Sequence, residues 1–224
     1  MSFLAAIGGF ISAAASVIGP ALSTAATFIA TKLPAILQTA SVIVSAITSI
    51  VTNVSKMLNI APEGEQPNEL GAKALQEGTR PIKEGETTQE YLDYLRNEVT
   101  LDREKYEKMT AEQKLNCEII GDTMLAASIE EKTGVGVPPE FLLAAGKIQM
   151  GYQTVNALIN AFSNNGIDSL GDYTKYIEND MFEKDAAKVG SAIREAISEM
   201  NPDMTPEDIE AEVVAMKQEY NEEN

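Results

Sequence analysis

Few side chains of this sequence could carry out catalysis. The chain of 224 residues has no histidine, the commonest general base and metal ligand, and a single cysteine, Cys117, so no intrachain disulfide or Cys-x-x-Cys metal site can form. Without a histidine to activate it, Cys117 is expected to be a buried, unreactive thiol.

Acidic residues are the remaining candidates for chemistry, and four of them cluster near the carboxyl end. Their density suggests calcium, but the spacing of an EF-hand loop is missing, so we predict a solvated acidic face. The four are Asp203, Asp208, Glu210 and Glu212. We therefore predict no catalytic, cofactor-binding or metal-binding residue and do not expect an enzyme.

A stripe of small polar residues could line a helix contact or a lumen. The stretch Leu33 to Ser55 has no charged side chain, and six of its polar residues recur at alternating intervals of three and four. This spacing puts them on one side of a helix, facing a lumen or another helix. The predicted inter-helix or lumen-facing stripe consists of Gln38, Ser41, Ser45, Thr48, Thr52 and Ser55.

The stripe belongs to an apolar arm, residues 1–60, whose only charged side chains are Lys32 and Lys56. We predict a helical hairpin there, because Lys32 separates two apolar runs, Ser2 to Thr31 and Leu33 to Ser55. The 23 residues of the second run would span roughly 35 Å as a helix, enough to cross a bilayer core. Two sets of residues shape the first helix. Ala5, Gly9 and Ala13 are predicted to allow close helix packing, and Gly19 and Pro20 to act as a hinge.

The charge of the chain lies after the arm. The net charge is −17, yet residues 1–62 carry no acid, which leaves all 34 acids in the remainder. Such an acidic surface repels phosphate backbones, so we expect no sequence-specific nucleic-acid binding. Residues 61–86 are rich in Pro, Gly and Glu and are predicted to be a linker. Residues 87–224 are predicted to be an acidic helical domain.

The acidic domain is predicted to hold about five to six helices, which makes the whole chain all-α. Thr110 followed by Gln113 has the spacing of a capping box and predicts a helix start. The segment from Glu140 to Phe162 is the most apolar stretch of the body and is predicted to be one central helix.

A short resemblance lies at the start of that central helix. Gly136-Val-Pro-Pro-Glu-Phe-Leu-Leu-Ala-Ala-Gly-Lys-Ile-Gln-Met-Gly-Tyr152 resembles the opening helix of lytic transglycosylases, which ends at a catalytic glutamate followed by serine. This chain has Gln149 and Met150 at those two positions. Glutamine cannot act as the general acid of glycoside cleavage, so the resemblance implies at most a muramidase-like binding module without activity.

We favour two functional hypotheses over that of a binding module. In the first, the protein is an oligomer-forming, membrane-interacting delivery or pore protein, such as a virion or injection-machine component whose arm inserts into a bilayer. In the second, it is a structural subunit of a tube, ring or core, with the arm buried between copies or against other subunits. The expected location is a virion, a secreted or injected particle, or a membrane, and no cleavable signal peptide is evident.

Overall fold

The computed structural model describes residues 16–34 and 36–223. Within these residues the protein is helical and has no β-strand, which confirms the all-α prediction. The helices are α1 (Pro20–Lys32), α2 (Leu37–Met57), α3 (Pro67–Leu75), α4 (Thr88–Asn97), α5 (Arg103–Glu107), α6 (Ala111–Thr133), α7 (Pro139–Lys147), α8 (Tyr152–Asn164), α9 (Gly171–Ile177), α10 (Glu183–Met200) and α11 (Pro206–Glu223).

Local sequence signals set several helix ends. The predicted capping box at Thr110 is present, with its hydroxyl accepting from the Gln113 amide and the Gln113 side chain accepting from the Thr110 amide. Thr87 and Glu90 form a second capping box that starts α4. Gly134 ends α6 in the left-handed conformation at φ 71°, which glycine adopts without a steric penalty.

Helix α6 is the central element of the fold. It is buried along most of its length and packs against α1, α2, α3 and α4. One hydrophobic cluster extends from Ile18, before α1, to Tyr220, near the end of α11. Residues from the predicted arm, linker and acidic domain therefore contribute to a common core.

The predicted arm packs on the body of the same molecule. Helix α1 makes its main contacts with α6 and α7, and α2 makes its main contacts with α6, α7 and α8. We predicted a helical hairpin for residues 1–60. Among the described residues, the main contacts of both helices are with the body rather than with each other, so the hairpin is not confirmed.

The segment predicted as a linker contains α3, which crosses α6 at very short range. An alanine Cβ at Gly71 would lie 1.9 Å from the Cys117 carbonyl oxygen, and one at Gly121 would lie 2.0 Å from the Pro67 carbonyl oxygen. The two backbones can meet this closely only because neither glycine has a side chain. A bidentate ion pair between Arg96 and Glu65 ties the start of this segment to α4.

Residues 87–223 form eight helices, α4 to α11, more than the five to six predicted. One reason is that the single helix predicted from Glu140 to Phe162 is wrong. The structure ends α7 at Lys147 and starts α8 at Tyr152, and Gln149 adopts a positive φ of 50° between them. The Met150 amide donates to the Ala145 carbonyl and closes this turn.

Candidate functional site

The predicted polar stripe of α2 divides between two environments. Gln38 and Ser45 are exposed and Ser41 is half-buried, and all three line a groove beside the start of α8. Further along the helix, Thr48 and Thr52 are half-buried and Ser55 is fully buried. The amino-terminal half of the stripe thus meets solvent, whereas the carboxyl-terminal half turns into the protein.

Thr48 lies between two carboxyl groups of α6. Its hydroxyl oxygen is 2.7 Å from Oδ2 of Asp122 and 2.9 Å from Oε1 of Glu118. Asp122 is fully buried and Glu118 is partly exposed. The two acids are four residues apart, one helical turn, so a single hydroxyl on the facing helix can reach both.

The protons available at this site are limited. A threonine hydroxyl has one hydrogen to donate, whereas an ionised carboxylate only accepts. If both acids are ionised, the two contacts must share the one hydroxyl hydrogen, so two full hydrogen bonds form only when Glu118 or Asp122 is protonated and donates to the hydroxyl oxygen. The geometry therefore favours a carboxyl–hydroxyl–carboxyl chain that retains a proton.

The surroundings of the two acids favour their neutral forms. Burial raises the pKa of Asp122 well above its ordinary value, and the neighbouring charge of Glu118 acts in the same direction. Burial also raises the pKa of Glu118, against the hydrogen bond from Thr48. The second oxygen of Asp122, Oδ1, is buried and has no partner within hydrogen-bonding distance among the described residues. An ionised Asp122 would thus be poorly compensated.

Other buried polar groups of α2 and α6 also lack protein partners in the described part of the chain. An unpaired buried polar group costs about 1–3 kcal/mol, so the two groups that belong to α2 reduce the stability that its burial provides. The groups of both helices are the side-chain oxygens of Thr52, Ser55, Asn116 and Ser128.

The groove beside the stripe is large and uncharged. It has a volume of about 810 Å³ and is lined by α2 and by the turn that leads into α8. Val42 lies in it with 51% of its surface exposed. The groove carries no Asp, Glu, Lys or Arg, although the chain has a net charge of −17.

Helix α2 is also the one helix in the described residues that is long and apolar enough to cross a membrane, by length and composition. Its 21 residues correspond to about 31 Å at about 1.5 Å per residue, close to the roughly 30 Å of a bilayer core. Only 39% of its most apolar 18-residue stretch is buried, so much of this helix lies at the surface.

The other predicted site residues have separate places. Ala5, Gly9 and Ala13 lie outside the described residues. Gly19 interrupts the helical path at φ 82°, and Pro20 follows as the first residue of α1. Among the described residues no group of three or more potential ligands could hold a metal ion.

Glu118 and Asp122 were not among the predicted site residues. Asp122 lies three residues after Ile119 and seven after Leu115, so the helical period places it on the apolar side of α6. An acid at such a position is a signal of a buried carboxyl group, and it was available in the sequence.

No protein-family model, curated protein or solved structure matches this chain.

Proposed function

We propose that the protein interacts with membranes through α2, which leaves its place on the body and enters a bilayer. The observation that carries this proposal is a single helix of bilayer length, without a charged side chain from Leu37 to Ser55, that lies at the surface of a strongly acidic chain. Lipid tails would cover its apolar residues, and its hydroxyl groups would face each other or water.

The seam between α2 and α6 supports release of this helix. Besides its apolar contacts with the core, α2 meets two carboxyl groups of α6, and the buried hydroxyl groups of its own Thr52 and Ser55 have no partner among the described residues. Elements that move are drawn from the less stable parts of a fold. The unpaired groups recover hydrogen bonds from water when α2 leaves, which offsets part of the cost of exposing the core.

A matched pair of substitutions tests the proposal. Ser45 and Ser191 are both exposed and are both the ninth residue of their helices, α2 and α10. Ser45→Asp and Ser191→Asp add the same charge, and each should change the free energy of unfolding by less than about 0.5 kcal/mol. Near the middle of a bilayer, however, an aspartate costs about 2.5–3.5 kcal/mol.

Liposome flotation and dye release provide the readouts. We expect wild-type protein and Ser191→Asp to float with liposomes and release dye, and Ser45→Asp to lose roughly a hundredfold in membrane partitioning. Equal behaviour of the two variants would contradict insertion of α2, as would a wild-type protein that stays with the aqueous fraction.

The uncharged groove favours a second candidate, a structural subunit in which α2 packs against other copies. Interface centres are depleted of charge, and the groove meets that condition on an otherwise acidic chain. Mass photometry without lipid or detergent separates the two candidates. If the wild-type protein and Ser191→Asp formed a defined oligomer and Ser45→Asp were monomeric, the structural subunit would be favoured. A monomeric wild-type protein would count against it.

The proposal extends from membrane contact to a biological role. The layout of an apolar, acid-free arm followed by an acidic body motivates the proposal of a delivery or pore role in a virion or injected particle. Dye release by the wild-type protein would support a pore, and flotation without release would support a role in attachment.

A further inference from the structure

We propose that Glu118, Thr48 and Asp122 form a proton-dependent latch, which holds α2 on the body while a carboxyl proton is present and loosens when both acids ionise. The proposal names the regulation of α2 release and so rests on the proposed function. Its geometric basis is the single hydroxyl of Thr48, which lies within hydrogen-bonding distance of two carboxyl groups.

In the closed state one proton joins two helices. A protonated carboxyl group donates to the oxygen of Thr48, and the Thr48 hydroxyl donates to the other carboxyl group. When both acids are ionised, one hydroxyl hydrogen must serve both contacts, and two negative charges one helical turn apart face the part of α2 that has no charged side chain. Asp122 would then be charged, fully buried and paired with at most one donor.

No other charge takes over this role among the described residues of the four helices that pack most on α6. In α1, Lys32 lies over the Phe28 ring. The remaining charged side chains have partners elsewhere. Lys56 pairs with Glu63, Glu69 with Arg103, Lys73 with the Leu95 carbonyl, Glu90 with Thr87, and Arg96 with Glu65 and Asp93. The nearby charge that acts on Asp122 is Glu118 itself. Glu118 in turn acts on Tyr106 of α5, whose pKa it helps to raise, and Lys114 of α6 lies over the Tyr106 ring.

The direction of the pH effect follows from the binding of protons. Burial raises the pKa of both acids in the closed state, so the closed state holds a proton that the opened state has lost. The latch contribution is complete below the ordinary carboxyl pKa of about 4 and declines as the pH rises toward the raised value. One proton changes the ratio of closed to open protein by at most about tenfold per pH unit.

Hydrogen exchange of the α2 amides measures this opening without any membrane. Protection factors, corrected for the intrinsic exchange rate, are compared between pH 5 and pH 8, with the α10 amides as an internal reference. We expect protection of α2 in the wild-type protein to fall with rising pH by up to about tenfold per unit, while the α10 amides change less.

Two neutral variants and one control identify the acids responsible. Asp122→Asn keeps the size of the side chain without its charge and should flatten the pH dependence of α2 protection. If that variant does not fold, Glu118→Gln serves the same purpose from a partly exposed position. Glu130→Gln changes an exposed acid on the same helix and should retain the wild-type slope.

The latch is overturned if wild-type α2 protection is independent of pH over this range, or if the folded neutral variant keeps the full slope. This test contains no lipid, so its outcome is separate from that of flotation. A pH-dependent α2 with equal flotation of Ser45→Asp and Ser191→Asp would retain the latch and remove membrane insertion. If only Ser45→Asp lost flotation and α2 protection were independent of pH, membrane insertion would be retained and the latch would be removed.

Discussion

Replacement of Gly121 by alanine should destabilise the protein substantially, although alanine is the better helix former. The new Cβ would lie 2.0 Å from the Pro67 carbonyl oxygen, 2.5 Å from the carbonyl carbon and 2.9 Å from the Cα. Real Cβ atoms essentially never approach another heavy atom closer than 3.0 Å. The backbones of α3 and α6 must therefore separate by about 1 Å, because no side-chain rotation can relieve a contact with backbone.

The expected magnitude is the difference between two opposing effects. Forcing a packed interface apart costs about 3 kcal/mol, at the upper end of the range for overpacked cores, because the clash is with backbone. The change from glycine to alanine within a helix returns about 1 kcal/mol. The net loss of about 2 kcal/mol should lower the midpoint of thermal unfolding by roughly 4–8 °C for a chain of this size.

Gly190 provides the matched control. It also lies inside a helix, α10, but the nearest neighbours of a Cβ there would be side-chain atoms of Arg194 and Tyr176, at 3.0–3.1 Å, rather than backbone at 2.0 Å. Gly190→Ala should therefore cost clearly less than Gly121→Ala, because a shift of a few tenths of an ångström suffices and alanine returns about 1 kcal/mol of helix preference. Urea and thermal unfolding of both variants measure the difference. If Gly121→Ala were as stable as Gly190→Ala, the close crossing of α3 on α6 would be wrong.

Three further outcomes follow from the structure. Gly71→Ala combined with Gly121→Ala should lower the free energy of unfolding, measured in urea, by less than the sum of the two single changes. The reason is that the separation of α3 from α6 caused by one alanine makes room for the other. Full additivity would show that the two glycines lie at independent contacts. Burial raises the pKa of Cys117 to about 12, so its reaction with a thiol reagent at pH 8 should be at least about a hundredfold slower than in denaturant, and similar rates would place the thiol at the surface. Glu86 has its pKa lowered to about 2 by the Arg80 side chain, so its contribution to stability is present above its ordinary pKa of 4.5 and is lost as the pH falls toward 2. The thermal midpoints of wild-type protein and Glu86→Gln should therefore converge with acidification, whereas a constant gap would contradict the ion pair, and Glu84→Gln, which changes an exposed neighbour, is the control.

Helix content and helix starts were predictable because local chemistry determines them. Thr110 and Gln113 satisfy each other's backbone amides, and no distant contact is needed to form that cap. The break between α7 and α8 was not predictable from periodicity, since apolar residues continue through it. The break lies next to Gly146, where α7 approaches Ile43 and Ile47 of α2, about a hundred residues earlier in the chain, and periodicity does not record such a contact.

The segment 61–86 shows how composition conceals packing. Its Pro, Gly and Glu content is typical of a linker, yet Gly71 is the residue that lets α3 approach α6. Composition records that a glycine is present and cannot tell whether it serves flexibility or close approach. The partner glycine, Gly121, lies fifty positions away, and only the fold brings the two helices together.

The polar stripe of α2 shows how one sequence pattern can serve two surfaces. Its spacing averages 3.5 residues per turn, whereas an α-helix has about 3.6, so the stripe drifts by about 20° per heptad around the helix. Over the 17 residues from Gln38 to Ser55 this drift is about 50°, and the stripe runs along the boundary between the groove, which Ser41 and Ser45 line, and α6, which Thr48 contacts. Because both surfaces belong to one rigid helix, release of Thr48 from Glu118 and Asp122 must also move Ser41 and Ser45 in the groove. Occupation of the groove by lipid or by another copy and protonation of the latch are therefore expected to be linked, and each should shift the other's midpoint in the same proportion.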